Sequence, residues 1–300
     1  MLVTGKGGVG KTTVAGALGL AAARNGKRTI VCEVTRQQRL APLFGREAEA
    51  HREIELGPDL NGISIDPDDA KAEWLRYQLR SGTLAGVLGQ SRIFQLLTAA
   101  APGLAELVTI GKVWELAQLE RKDRRNAPYD LVVVDAPATG QGLALLRAPR
   151  TYADIARVGP IHRQAEMIDS FLRDDARTGM LVVALAEEMP VNETLELEGR
   201  LDEELAMSVD LVVVNALYPE RFTAADARAI ESLDSRGSEE ARAVLRAALS
   251  EHRRARAQRS QLRRLRRGAS APVTTLPYLF REQLGAADLE QLSRDLEGEL

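Results

Sequence analysis

The sequence predicts an α/β fold in which a mostly parallel sheet is flanked by helices. Three observations carry this. A glycine-rich loop, Gly5-Lys-Gly-Gly-Val-Gly-Lys-Thr-Thr13, separates a short apolar strand from a helical run. Apolar runs at Thr29–Val34, Asp130–Asp135, Met180–Ala186 and Asp210–Asn215 lack strand alternation, as strands buried on both faces do. Helical segments lie between them, as parallel crossovers require. With 300 residues, 45% hydrophobic, the chain can bury a large core in one domain or two. A net charge of −3 gives no overall basic excess for nucleic acid, and no apolar run reaches membrane-spanning length. The single cysteine, Cys32, excludes an internal disulfide and a C-x-x-C metal site. These features, with no signal-peptide pattern, predict a cytoplasmic protein. The strand ahead of the loop is short, and the natural N-terminus is expected to be longer.

In order along the chain, Leu2–Thr4 is the end of a buried strand, and the loop fits the phosphate-cradling pattern G-x-x-x-x-G-K-[ST] in full. Gly5, Gly7, Gly8 and Gly10 let consecutive backbone N–H groups, including those of Lys6, Val9 and Thr13, curl around phosphate oxygens. Lys11 reaches the β- and γ-phosphates, and the Thr12 hydroxyl is a Mg²⁺ ligand. The helix from Thr13 to Arg24 closes at Asn25-Gly26. The cofactors predicted here are ATP and Mg²⁺.

The loop spends two of the chain's six lysines, against 34 arginines elsewhere. With lysine at position 6 it resembles the deviant Walker A loop of the dimeric ATPases ArsA, MinD, ParA and the nitrogenase iron protein. That resemblance implies a dimer in which Lys6 crosses to the partner's phosphates, a cation supplied in trans as an arginine finger is.

The next run, Thr29–Val34, ends on Glu33, beside the phosphate loop. The segment Thr35–Gly45 occupies the place of a first switch loop. ArsA-like ATPases carry there an aspartate that orients the attacking water. Aligning Leu40 and Phe44 puts Thr35 at that position, and this departure bears on hydrolysis. Glu33 is either its substitute or a loop-orienting carboxylate. Gly62–Asp66 is a short edge-strand candidate, and Pro67 opens a helix capped by Asp66. Helical pattern then runs to about Asn126. Within it the apolar stretch 82–104 is insert core, a dimer contact or a groove for hydrophobic client segments.

The run Asp130–Asp135 places a Walker B-type carboxylate, Asp135, in the Mg²⁺ shell. Just beyond it, Ala138-Thr-Gly-Gln-Gly-Leu-Ala-Leu-Leu-Arg147 resembles the second switch of the ArsA family. There the backbone N–H of Gly140 would sense the γ-phosphate. Helix resumes over 149–178, with Pro160 opening a segment whose Ile161, Ala165, Ile168 and Leu172 recur at helical spacing. Asn192–Ala206 is a crossover helix. From the family resemblance, Asn215 reads the adenine edge, with Pro277 and Tyr278 as weaker base contacts. Ser238–Arg267 reads as one long helix, arginine-rich in its second half: a solvated face, or a surface for acidic lipid or nucleic acid.

The resemblance to ArsA/Get-type ATPases, the group that includes the tail-anchored-protein targeting factor, spans nearly the whole chain and looks closest to the paired actinobacterial ArsA-like ATPases. It implies a P-loop NTPase with a seven- or eight-stranded sheet and a helical subdomain formed by about 67–127 and 149–178. The implied activity is hydrolysis of ATP to ADP and phosphate, catalysed through Lys6, Lys11, Glu33, Thr35 and Asp135. The implied partners are a second copy or a related ATPase, and a hydrophobic client. Arsenite is a poor fit, because soft As(III) needs clustered thiolates. Two alternatives stand beside this reading: a weakly active subunit that completes a related partner's site, and a positioning ATPase of the ParA/MinD type.

Overall fold

The computed structural model describes residues 1–34, 37–78, 103–120, 127–233 and 238–299, with 75–78 and 299 described as backbone alone. The expectations placed on Thr35 and on the apolar stretch 82–104 short of Gly103 lie outside the described residues.

Strands β1 (Leu2–Gly5), β2 (Thr29–Glu33), β3 (Ile54–Gly57), β4 (Leu60–Ser64), β5 (Leu131–Asp135), β6 (Met180–Leu185), β7 (Leu211–Leu217) and β8 (Val273–Pro277) form one sheet in the order β3-β4-β2-β5-β1-β6-β7-β8. Every pairing is parallel except β3 with β4. Successive strand residues serve opposite cores. Val3, Val31, Val133 and Val183 pack on one face, while Leu2, Ile30, Cys32, Val132, Val134 and Val182 pack on the other. This double burial is why the runs read as unbroken hydrophobic segments.

One face is covered by α1 (Lys11–Arg24) and α10 (Ala286–Leu296), with the short α2 (Leu40–Leu43) nearby. At Gly19 of α1 the sheet leaves room for glycine alone: a Cβ there would sit 2.4 Å from Val31 Cγ2. The other face carries α3 (Pro67–Gln78), α4 (Leu104–Leu116), α5 (Thr139–Ala156), α6 (Pro160–Leu172), α7 (Glu188–Leu205) and α9 (Glu239–Gly268). Helix α8 (Ala224–Leu233) packs on α9.

Several elements match their sequence signals. Asp66 Oδ1 accepts the Asp68 amide at 2.7 Å and caps α3. Ser238 caps α9, accepting the Ala241 amide. Pro160 occupies the first turn of α6, whose Ala165, Ile168 and Leu172 are buried while Ile161 is 38% exposed.

Two elements differ. The strand expected at Gly62–Asp66 is β4, and it is not an edge: β3 lies outside it, turned back through Pro58-Asp59, with Asp59 at φ 53. Helix α5 begins at Thr139 and runs unbroken through the buried Pro149, so the helix expected to resume at 149 is already under way. Ten residues of preceding helix and the burial of Ala148 and Pro149 hold the backbone in place where Pro149 lacks its N–H.

Helices α3, α4, α5 and α6 pack on one another. Glu73 of α3 bridges His51 Nε2 at 2.8 Å and Lys112 of α4 at 3.0 Å, and Lys112 also reaches Glu115. This network ties the segment ahead of β3 to the helical layer. The His51 hydrogen bond and the Lys112 ammonium hold the Glu73 carboxyl down at about 2, against the opposing effect of burial.

Candidate phosphate-loop site

The loop leaves β1 at the C-terminal edge of the sheet, where β1 lies between β5 and β6. Its glycines answer to space as much as to phosphate. Gly5 has φ 141, and a Cβ there would stand 2.2 Å from the Val183 carbonyl oxygen of β6. Gly10 has φ 92, and its Cβ would meet the Asn215 amide at 2.3 Å. Gly7 and Gly8 are exposed at the tip, and Val9, 2% exposed, pins the loop to the core. Thr13 lies in the first turn of α1, so the loop's N–H groups and the helix N-terminus converge on one concavity.

Lys11 Nζ donates to the Lys6 carbonyl oxygen at 3.0 Å. Burial pulls the Lys11 pKa below its ordinary value, and Asp135 opposes that effect. The Thr12 hydroxyl donates to Asp135 Oδ2 at 2.6 Å. Asp135 and Glu33 are register partners at the ends of β5 and β2, and both are buried. Two hard oxygen donors in contact, with a second carboxylate beside them, fit a Mg²⁺ ion that shares its shell with phosphate oxygens.

Burial pushes the Asp135 carboxyl up to about 6. Glu33 adds to this, and the Thr12 hydroxyl, Lys11 and Arg39 counter it. A folded-state pKa above the unfolded one means that the folded chain holds the proton more tightly. The stability so gained is full below about pH 4 and is lost as pH rises through about 6. Asp135→Asn should therefore stabilise the nucleotide-free chain by roughly 2 kcal/mol at neutral pH. Urea unfolding of both proteins on either side of pH 6 checks this: the wild type should weaken more than the variant as pH rises.

Of the remaining predicted residues, Glu33, Gly140 and Asn215 lie beside the loop or Asp135, whereas Pro277 and Tyr278 lie at the end of β8, beyond β6 and β7. Glu33 accepts the Arg39 amide at 2.9 Å and the Leu40 amide at 3.4 Å, so it orients the start of α2. Gly140 is exposed in the first turn of α5, and Ala138 lies 3.9 Å from where a Gly7 Cβ would be. Beside it, Thr139 Oγ1 is buried and has no hydrogen-bond partner among the described residues.

Asn215, in the second half of β7, donates its amide to the Val9 carbonyl at 2.9 Å and accepts the Ala216 N–H at 2.9 Å. It braces the loop from behind. Pro277 ends β8, and Tyr278 stacks on Tyr218 with ring centroids 4.4 Å apart. Phe280 meets both rings edge-on, Arg221 lies over Phe280 at 4.4 Å, and Arg254 lies over Tyr218 at 5.1 Å.

Lys6 does not extend freely. Its ammonium bonds Glu193 Oε1, on α7 of the same chain, at 2.6 Å, with both side chains about one third exposed. Sequence pattern does not single out Glu193, Tyr218, Phe280 or Arg254. Glu193 is remote in sequence from the loop and reaches it through strand order alone.

A glycine loop wrapped from a central parallel strand onto a helix N-terminus, with a buried carboxylate on its threonine, defines the phosphate-loop class of α/β proteins. Within that class the chain belongs to the anion-transporting ATPase family, whose model matches residues 1–158 and 154–244. It is 34% identical over 224 residues to ATPase BagA of Mycobacterium tuberculosis, a match covering 73% of this chain and 65% of that protein. It is 24% identical over 266 residues to ATPase GET3C of Arabidopsis thaliana, covering 73% and 67% of the two chains. ATPase GET3 of Phaeosphaeria nodorum is 27% identical over 196 residues, covering 63% and 58%. The match thus spans just under two thirds of the length of BagA. Among the described residues no helix is long and apolar enough to cross a membrane.

Proposed function

We propose that the protein is a dimeric Mg²⁺-ATPase of the ArsA/Get type that hydrolyses ATP to ADP and phosphate. The observation that carries this is the Thr12–Asp135 contact beside Lys11, at the mouth of the loop. Lys11 would leave the Lys6 carbonyl for the β- and γ-phosphates. Thr12 and Asp135 would hold Mg²⁺, which when bound neutralises charge on the phosphate oxygens. Lys6 would exchange Glu193 for the partner's phosphates. A partly exposed ion pair contributes at most about 1 kcal/mol, so a triphosphate competes for this lysine with ease.

Gly140 and the Thr139 hydroxyl, which lacks a partner among the described residues, suit a second switch that engages the γ-phosphate. Because α5 starts at this loop and packs on α6, movement at 136–141 would pass into the helical subdomain proposed for 67–127 and 149–178. Asn215, Pro277 and Tyr278 would line the adenine site. The Tyr218–Tyr278 stack offers a π surface there, though Asn215 would have to release Val9 to read the base edge. Client binding is assigned to the apolar 82–104 stretch, and a cytoplasmic location accords with this reading.

One observation favours the alternative of a weakly active subunit that completes a related partner's site. The Glu33 carboxylate is already engaged by the Arg39 and Leu40 amides, which suits a structural role better than a proton acceptor. Steady-state turnover of the isolated chain, with and without Thr35→Asp, separates the two. Robust wild-type hydrolysis supports the first, and activity gained only with the aspartate supports the second. Absence of Mg²⁺-ATP binding, measured by calorimetry, would remove both.

A further inference from the structure

Helix α9 carries a feature that the nucleotide site leaves unused. From His252 to Gly268 it holds eight arginines and no acid, in a chain of net charge −3. Four are already engaged. Arg253 meets Glu231, Arg254 the Tyr218 hydroxyl, Arg259 Glu220, and Arg264 Asn192. Arg256, Arg263, Arg266 and Arg267 are exposed, and no hydrogen bond or ion pair engages them among the described residues.

The buried side of this stretch, Ala255, Gln258, Leu262 and Leu265, faces the sheet, and Arg256, Arg263 and Arg267 project on the opposite side. They form a ridge about 16 Å long. The helix C-terminus accounts for cations at 266 and 267 but not for those one to three turns earlier. Arg263 and Arg267, four residues apart with no acid between them, repel each other and weaken the helix on its own.

We infer that this ridge is a docking surface for a carboxylate-rich peptide segment of a protein partner. Guanidinium forks match carboxylates bidentately, and the ridge is built of arginine without lysine. The neighbouring helix narrows the choice. Helix α7 lies directly alongside, with Glu198 accepting the Ser270 and Ala271 amides, and it exposes Glu196 and Glu203. Those acids would repel a broad anionic membrane laid across both helices, whereas a single chain can track along the ridge. Single-stranded nucleic acid is also narrow, but it binds through aromatic stacking platforms, and α9 contains no Phe, Tyr or Trp.

The test uses the full chain and a fluorescent, glutamate-rich peptide, with binding read by fluorescence anisotropy at low salt. The expected result is binding that weakens as salt is added and falls at least about tenfold in R256Q/R263Q/R267Q, with no loss of thermal stability. A control, R242Q/R246Q, removes charge from the first half of α9 and should leave affinity within about twofold. The inference is overturned if the peptide does not bind, if the triple variant binds as well as wild type, or if an oligonucleotide or anionic vesicles bind more tightly than the peptide.

Discussion

Lys6→Ala should lower ATP turnover by roughly a thousandfold while leaving ATP affinity within about threefold, because a cation delivered across an interface acts on transition-state charge. The resting place of this lysine is the reason to expect the split. Its backbone carbonyl accepts Lys11 Nζ, so the loop is arranged around it. Its ammonium, however, is held by Glu193 of the same chain. A residue that only sealed the loop would, on truncation, weaken nucleotide binding and turnover together. One that serves the neighbouring site leaves binding intact and removes the chemical step. Glu193→Gln gives the converse: freed of its resting partner, Lys6 should strengthen ATP-dependent pairing by no more than about fivefold. Isothermal calorimetry for binding and single-turnover hydrolysis for chemistry read the two effects separately.

Gly5→Ala should cost more than about 4 kcal/mol, or prevent folding altogether, whereas Gly8→Ala should cost about 1 kcal/mol. Both positions have positive φ, so backbone strain is common to them. The difference is space. At Gly5 the new methyl would lie 2.2 Å from the Val183 carbonyl oxygen, inside the central β1–β6 pairing, and neither strand can retreat without opening the sheet. At Gly8 nothing lies within 4 Å. Urea unfolding of the two variants, monitored by circular dichroism, gives the ordering. Comparable losses would mean that β6 can yield and that strain alone governs the loop.

Much of the fold is legible because the sheet is buried on both faces and its strands read as continuous apolar runs. The long α9 announces itself by Ser238 and helical periodicity, and α3 by Asp66-Pro67. Strand β3 hides because it is four residues long with Leu56 as its single buried residue, and its pairing comes from β4 rather than its own pattern. The Pro58-Asp59 turn is the local signal that could have exposed it.

At the site, Lys11, Thr12 and Asp135 converge because β5 lies beside β1. The contacts of Lys6 with Glu193 and of Tyr278 with Tyr218 join residues 187 and 60 positions apart. Only the placing of β6 beside β1, and of β8 beside β7, brings them together. Local sequence cannot supply that order. Asn215 shows a further limit: an amide suited to a base edge also suits a loop carbonyl, and here it holds Val9.

The most direct measurement mixes two variants, each inactive alone, Lys6→Ala and Lys11→Ala. If Lys6 completes the partner's pocket, a mixed pair contains one site with both lysines intact, and random pairing should restore about a quarter of wild-type ATP turnover. If both lysines act within one chain, every site lacks one of them, and no mixing ratio restores activity.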